Sequence, residues 1–152
     1  MAVTGPRRPL SSRTFIVPLF LTSLLWADRQ SDVRGTVNQV ANALAAGSAS
    51  DAISAFDKSC RDYDTVRQYF QGLADSFDVT NQIEIADEQD TDTETVLKVD
   101  WDLTITDRTS DSTEHRQGEI TVKLKAIDGK WKIIAFAPFD IFNPAIRNGG
   151  KH

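Results

Sequence analysis

The sequence predicts an α+β domain: three N-terminal helices packed on a curved antiparallel sheet of about four strands. Three observations carry this. Apolar residues recur with helical spacing up to Phe77 and with strand alternation after it. The alternating runs are long, with one polar face each, as in an antiparallel sheet wet on one side. Asp128-Gly129 joins the last two runs as a hairpin dipeptide does.

The helices come first. Val33, Val37, Val40, Ala41 and Leu44 form one stripe over residues 32–46, and Gly47 stands where a helix stops. Ser48 and Asp51 suit the N-cap and third position of a short second helix that turns Ile53 and Phe56 inward. A third helix spans about 62–77. Its inner face is Tyr63, Val66, Phe70, Leu73 and Phe77, with Tyr69 beside them and Asp62 as cap.

Then the period becomes two. Val79, Ile83 and Ile85 alternate with polar neighbours, and an acidic loop, "DEQDTDTE", follows. Leu97, Val99, Trp101, Leu103 and Ile105 alternate with Lys98, Asp100, Asp102, Thr104 and Thr106. After "DRTSDST", Ile120, Val122 and Leu124 alternate with Thr121, Lys123 and Lys125. The closing run, "DGKWKIIAFAP", carries Trp131, Ile133, Ile134 and Phe136 and ends at Pro138. Phe139, Ile141 and Phe142 are expected to pack as a last flap.

The first residues read differently. Arg7, Arg8 and Arg13 precede "FIVPLFLTSLLWA", an apolar run of 13 residues ending at Ala27. A membrane span needs about 20. A basic start, a short apolar run and a small residue form a signal-peptide pattern. The expected organisation is a signal peptide over 1–27, the domain over 28–143 and a disordered tail over 144–152. The expected location is periplasmic or secreted, or membrane-anchored if the signal is retained. Removing 1–27 takes three basic residues and no acid, moving the net charge from -5 to -8. That surface repels phosphate backbones and anionic lipid, so no nucleic-acid partner is expected. Cys60 is the single cysteine, so no internal disulfide is possible.

The elements "ALAAGSASDAISAFD", "DTVRQYFQGLADSF" and "DGKWKIIAFAP", in that order, resemble the NTF2-like (SnoaL-like) superfamily across about residues 32–138. The resemblance implies a cone-like NTF2-like fold with a cavity at its wide end. It also implies a homodimer through the outer sheet face. It names no reaction, because that scaffold hosts isomerases, dehydratases, hydrolases and plain binding modules.

The candidate chemistry is correspondingly thin. Enzymes of the superfamily often use a pocket aspartate as base, and such a base needs a pKa raised by an apolar wall. Asp57 beside Phe56 and Asp64 beside Tyr63 are the candidates. Asp102 neighbours Trp101 but alternates to the wet face. The first helix lacks an inward tyrosine, and only Asn38 and Asn42 are polar there. That departure speaks against an isomerase. His115 and His152 lie far apart and, with one cysteine, make no zinc site. Asp87, Glu88, Asp90 and Asp92 lack the glycine and terminal glutamate of a calcium loop. No metal or cofactor is expected.

Tyr63, Tyr69, Trp101, Trp131 and Phe136 are the expected ligand pocket, with Trp and Tyr polar tips orienting a small apolar molecule. The expectation is an exported domain that binds such a molecule or a protein partner without catalysis. The alternative is a SnoaL-like enzyme with acid/base chemistry on a hydrophobic small molecule. A further possibility is an interaction surface on the sheet face of Lys98, Asp100, Thr104, Lys123 and Lys125.

Overall fold

The computed structural model describes residues 28–145. The expected signal peptide at 1–27 and the last seven residues of the expected tail lie outside the described residues. The chain divides into two units, Met1–Arg34 and Gly35–His152. In the first, the described residues 28–34 are helical. The second holds the rest of the fold.

In that second unit, helix α1 takes residues 35–45 and buries Val37, Val40, Ala41 and Leu44. The helical stripe is therefore the packed one. Gly47 ends the helix at φ 75°, in the left-handed region that glycine enters without penalty. Helix α2, Ala49–Ile53, starts as the sequence predicts: the Ser48 side chain accepts from the Asp51 N–H. The segment after it runs beside the last strand. Asp57 N–H donates to the Ile133 carbonyl and Ile133 N–H to the Ala55 carbonyl, each at 2.9 Å.

Helix α3, Tyr63–Ser76, buries Val66, Phe70 and Leu73. Asp62 precedes it but is not the side-chain cap the sequence suggests. It sits at φ 64° and makes no side-chain cap bond, so only its carbonyl takes the Val66 N–H.

Strands β1 (Phe77–Asp90), β2 (Glu94–Asp107), β3 (Thr113–Ile127) and β4 (Lys130–Ala137) form one antiparallel sheet in sequential order. The three helices pack on this open sheet. The inner face buries Leu97, Val99, Trp101, Leu103 and Ile105 of β2, with Ile120, Val122 and Leu124 of β3. These are the residues the alternation selects. The hairpin dipeptide has φ 52° at Asp128 and 79° at Gly129, as a two-residue primed turn requires.

Two departures have physical causes. The expected acidic loop is mostly strand: β1 continues to Asp90 after a bulge between Ile85 and Asp87, leaving a short turn before Glu94. Extended backbone sends Asp87 and Glu88 to opposite faces, so those carboxylates do not converge. In β4, a second irregularity sets Ile133 against Leu124 and Ala135 against Lys123, so Ile134 is the extra residue. That extra residue shifts the phase, and both Ile133 and Phe136 are buried.

Past Pro138 the chain makes a single 3-10 turn, Asp140–Phe142, and folds back over the sheet. Phe142 is 0% exposed and Ile141 is buried. Pro144 and Ala145, expected in the tail, are held as well. A Cβ on Gly72 of α3 would stand 2.6 Å from Pro144 Cγ, and one on Gly118 of β3 would stand 3.3 Å from Ile141 Cγ2. Residues 139–145 are a strap lying against α3 and β3.

Candidate functional site

The inner face of the sheet gathers aromatic rings. Trp101 meets Phe136 and Phe142 edge-on, at centroid separations of 6.0 Å and 5.2 Å. Phe70 packs on Phe56, Phe136 and Phe142 in the same T-shaped way. These edge-to-face contacts place each ring's positive rim on a neighbour's negative face. Each ring is at most 4% exposed. Trp101 Nε1–H donates to Asn81 Oδ1 at 3.0 Å, and Asn81 Nδ2 donates to the Ala41 carbonyl at 2.8 Å. One amide thus satisfies the buried indole and ties β1 to α1.

Of the five expected pocket residues, Trp101 and Phe136 are therefore together in this cluster. Tyr69 is half-buried at the strap, with its ring 5.6 Å from that of Phe139 and its hydroxyl 3.4 Å from Asn143 Nδ2. Trp131 is half-buried at the other end of β4, where its carbonyl accepts from Thr36 Oγ1. Tyr63 lines a separate surface groove of about 690 Å³ with Lys58, Cys60, Asp62, Asp64 and Arg67.

Neither candidate base faces the cluster. The Asp57 carboxylate accepts from the Ser59 hydroxyl and from Ser59 N–H at 3.0 Å. Those bonds hold its pKa below the ordinary value, the opposite of what a base at neutral pH needs. Asp64 is exposed on α3 and pairs with Arg67 at 3.8 Å. Asn38 and Asn42 are exposed rather than inward. They line a polar groove of about 550 Å³ that also includes Asn81, Glu84, Asp100 and Asp102. On the wet face His115 Nε2 lies 2.9 Å from Asp102 Oδ1.

The polar centre of the inner face is one that the sequence reading passed over. Arg116 is 3% exposed and Glu114 9%. Arg116 Nε donates to Glu114 Oε2 at 2.8 Å and Nη2 to Oε1 at 3.4 Å. The other donors go to the strap: Nη1 to the carbonyls of Ile141 and Asn143, Nη2 to that of Ala145. A planar fork that satisfies a carboxylate and three carbonyls at once is a task for arginine, not lysine. The signal was present: running the β3 alternation back from Ile120 turns Gly118, Arg116 and Glu114 inward. Charge works against that signal, because a run of three polar side chains at a strand's start is the pattern of a solvated face.

Among the described residues no group of three or more His, Cys, Asp or Glu is placed to hold a metal ion. No helix there is long and apolar enough to cross a membrane.

No protein-family model matches the chain, and no curated protein matches it. Solved structures do. A candidate scytalone dehydratase from Novosphingobium aromaticivorans superposes with a TM-score of 0.65 at 11% identity, over 72% of this chain and 82% of that one. A ketosteroid isomerase-like protein from Erwinia carotovora atroseptica gives 0.59 at 9%, over 70% and 91%. An NTF-2 like protein of unknown function from Shewanella oneidensis gives 0.57 at 11%, over 71% and 96%. The chain shares the fold of these NTF2-like structures.

Proposed function

We propose that this is a non-catalytic NTF2-like binding domain. It takes a small, mainly apolar ligand against the aromatic cluster of the sheet's inner face. The observation that supports this reading is how the cluster is closed. Phe142, a member of the cluster, ends a single 3-10 turn of the strap and belongs to neither the α-helices nor the sheet. Where the ring of Phe142 sits, an aromatic ligand ring has Phe70, Trp101 and Phe136 to pack against. Segments with few ladder hydrogen bonds open at lower free energy than core strands. The domain is non-catalytic in this reading because the carboxylates of Asp57 and Asp64 stand outside the cluster. Of the acids on the inner face, Glu114 is neutralised by Arg116, and Asp90 accepts from Thr95 Oγ1 at 2.7 Å at the opposite end of β2.

Fluorescence titration with 1-naphthol tests it, since Trp101 reports on the cluster. Saturable quenching that is lost in Phe136→Ala, with the fold retained by circular dichroism, is the expected result. Absence of saturable binding at the solubility limit would remove the small-ligand reading.

A second reading concerns the wet face, and a specific observation favours it. Glu84, Asp100 and Glu119 stand directly opposite one another across three strands. Like charges in that relation destabilise a sheet unless a partner compensates them. Lys123 on the same face is already paired with Glu94 at 3.1 Å, but Lys98 lies further along it, so a second copy packed face to face brings Lys98 to the acids. This is the homodimer the fold resemblance implies, and equilibrium sedimentation at low and high salt tests it. A dimer that weakens with salt is expected, and a monomer under both conditions removes this reading. Export of the chain is proposed from the N-terminal pattern alone, and the mature mass of protein from an exporting host tests it.

A further inference from the structure

We infer that the slot holding residues 141–145 is a peptide-recognition site, and that the strap is its resident ligand. The partner it fits is a segment of aromatic–Asn–Pro chemistry. The inference rests on the reading that this end of the domain binds a ligand, and it names the ligand's class.

Three features of the slot support it. Arg116 donates to the carbonyls of Ile141, Asn143 and Ala145, alternate residues of one short stretch. That is recognition of a main chain, indifferent to side chains. Glu114 already supplies the counter-charge, so the acceptors the slot asks for are neutral carbonyls and not a carboxylate. Side-chain selection comes from the walls. Gly72 clears the place of Pro144 and Gly118 that of Ile141, where an added Cβ would stand at 2.6 Å and 3.3 Å. Phe142 enters the aromatic cluster, and the Asn143 side chain accepts the Ala145 N–H while facing the Tyr69 hydroxyl. Main-chain contacts to a buried fork with separate places for alternate side chains are how peptide grooves divide affinity from specificity.

The resident strap is tethered, so a free peptide competes against an effective concentration of about 1 mM or above. The test therefore weakens the resident first. In full-length Phe142→Ala the strap keeps its backbone and loses its anchor. A synthetic peptide copying residues 139–145, blocked at both ends, is titrated into this variant and into the wild type by calorimetry. The expected result is saturable binding to the variant and at least about tenfold weaker binding to the wild type. The copy with alanine at the Phe142 position, or the added change Arg116→Lys, should lower affinity about tenfold or more. If folded Phe142→Ala binds 1-naphthol but not the peptide, this inference is overturned and the small-ligand reading stands. If it binds neither, both are overturned. Should Phe142→Ala not fold, hydrogen exchange on the wild type decides. The Phe142 and Asn143 amides should exchange by local opening, well before the amides of β2 and β3. Exchange of those amides only on global unfolding overturns the inference.

Discussion

The guanidinium of Arg116 and the carboxylate of Glu114 meet at 2.8 Å, two residues apart on one strand, with the Arg116 side chain 1% exposed and that of Glu114 10%. Removing a charge from water costs several kcal/mol, and the partner charge offsets this only while both are present. Arg116→Met should therefore destabilise the domain by about 3–5 kcal/mol, because Glu114 is left buried and uncompensated. The double change Arg116→Met with Glu114→Met should recover part of that loss. It should not recover the strap, whose three carbonyls lose their donor in both variants. Urea unfolding reads the first effect and hydrogen exchange over 141–145 the second. A double variant no more stable than the single would mean that the pair does not act as a unit.

Gly72 and Pro144 set a second test. Gly72→Ala should favour α3 by up to about 1 kcal/mol through helix propensity alone. The new Cβ would meet Pro144 Cγ at 2.6 Å, a ring atom of the strap that cannot rotate away. The expected outcome is faster exchange of the Phe142, Asn143 and Ala145 amides with α3 itself unchanged or better protected. Uniform stabilisation of both would mean that the strap shifts without cost.

Much of this was legible in the sequence, and the part that was not has a physical reason. Period decided the elements: the valine stripe of α1, the odd-numbered apolar residues of β2 and the Asp128-Gly129 turn each have one reading. Ser48 capped α2 because its spacing to Asp51 is a local rule. Asp62 did not, because its backbone entered the left-handed region, which no local pattern announced. The bulges at Ala86 and Ile134 were also invisible, since one extra residue changes pairing and not composition. The site suffered most. Trp101 and Phe136 meet, but Tyr63 does not join them, because helical spacing fixes a face and not its depth along the helix. Glu114 and Arg116 were hidden because burial of an ion pair depends on the strap, which reaches β3 from 25 residues further along the chain.

Asn81 links two otherwise separate demands, the Trp101 indole at 3.0 Å and the Ala41 carbonyl at 2.8 Å. Asn81→Leu should leave the indole N–H without its partner inside the fold. The expected loss is about 1–3 kcal/mol for a buried unsatisfied donor. Trp101→Phe in the same background removes the orphan, so the two changes together should cost less than their sum. A double-mutant cycle by urea unfolding measures that coupling.

Asp100 stands between Glu84 and Glu119 on the wet face. Asp100→Lys converts two unfavourable cross-strand pairs into favourable ones, each worth about 0.2–1 kcal/mol. The melting temperature should rise at low salt, and the gain should shrink as salt is added. If the acidic row serves a partner, the same change should weaken that complex while stabilising the isolated chain.

Cys60 gives the last test. The residue is 4% exposed, and its Sγ–H donates to the Arg61 carbonyl at 3.4 Å. Burial, and then the carboxylates of Asp62 and Asp57, push its pKa up to about 11 from 9.0. Thiolate is the reactive form, so little exists at neutral pH and the folded protein should resist a disulfide reagent at pH 8. In urea the same thiol should react at once. The pH dependence has a definite sign. The folded state holds this proton more tightly than the unfolded state does. The contribution to stability is therefore complete below about 9 and is lost as pH rises through about 11. Cys60→Ala should flatten that part of the stability profile relative to wild type. Equal slopes for the two proteins between those pH values would assign the loss to other groups, and rapid labelling of the folded chain at pH 8 would contradict the burial of the thiol.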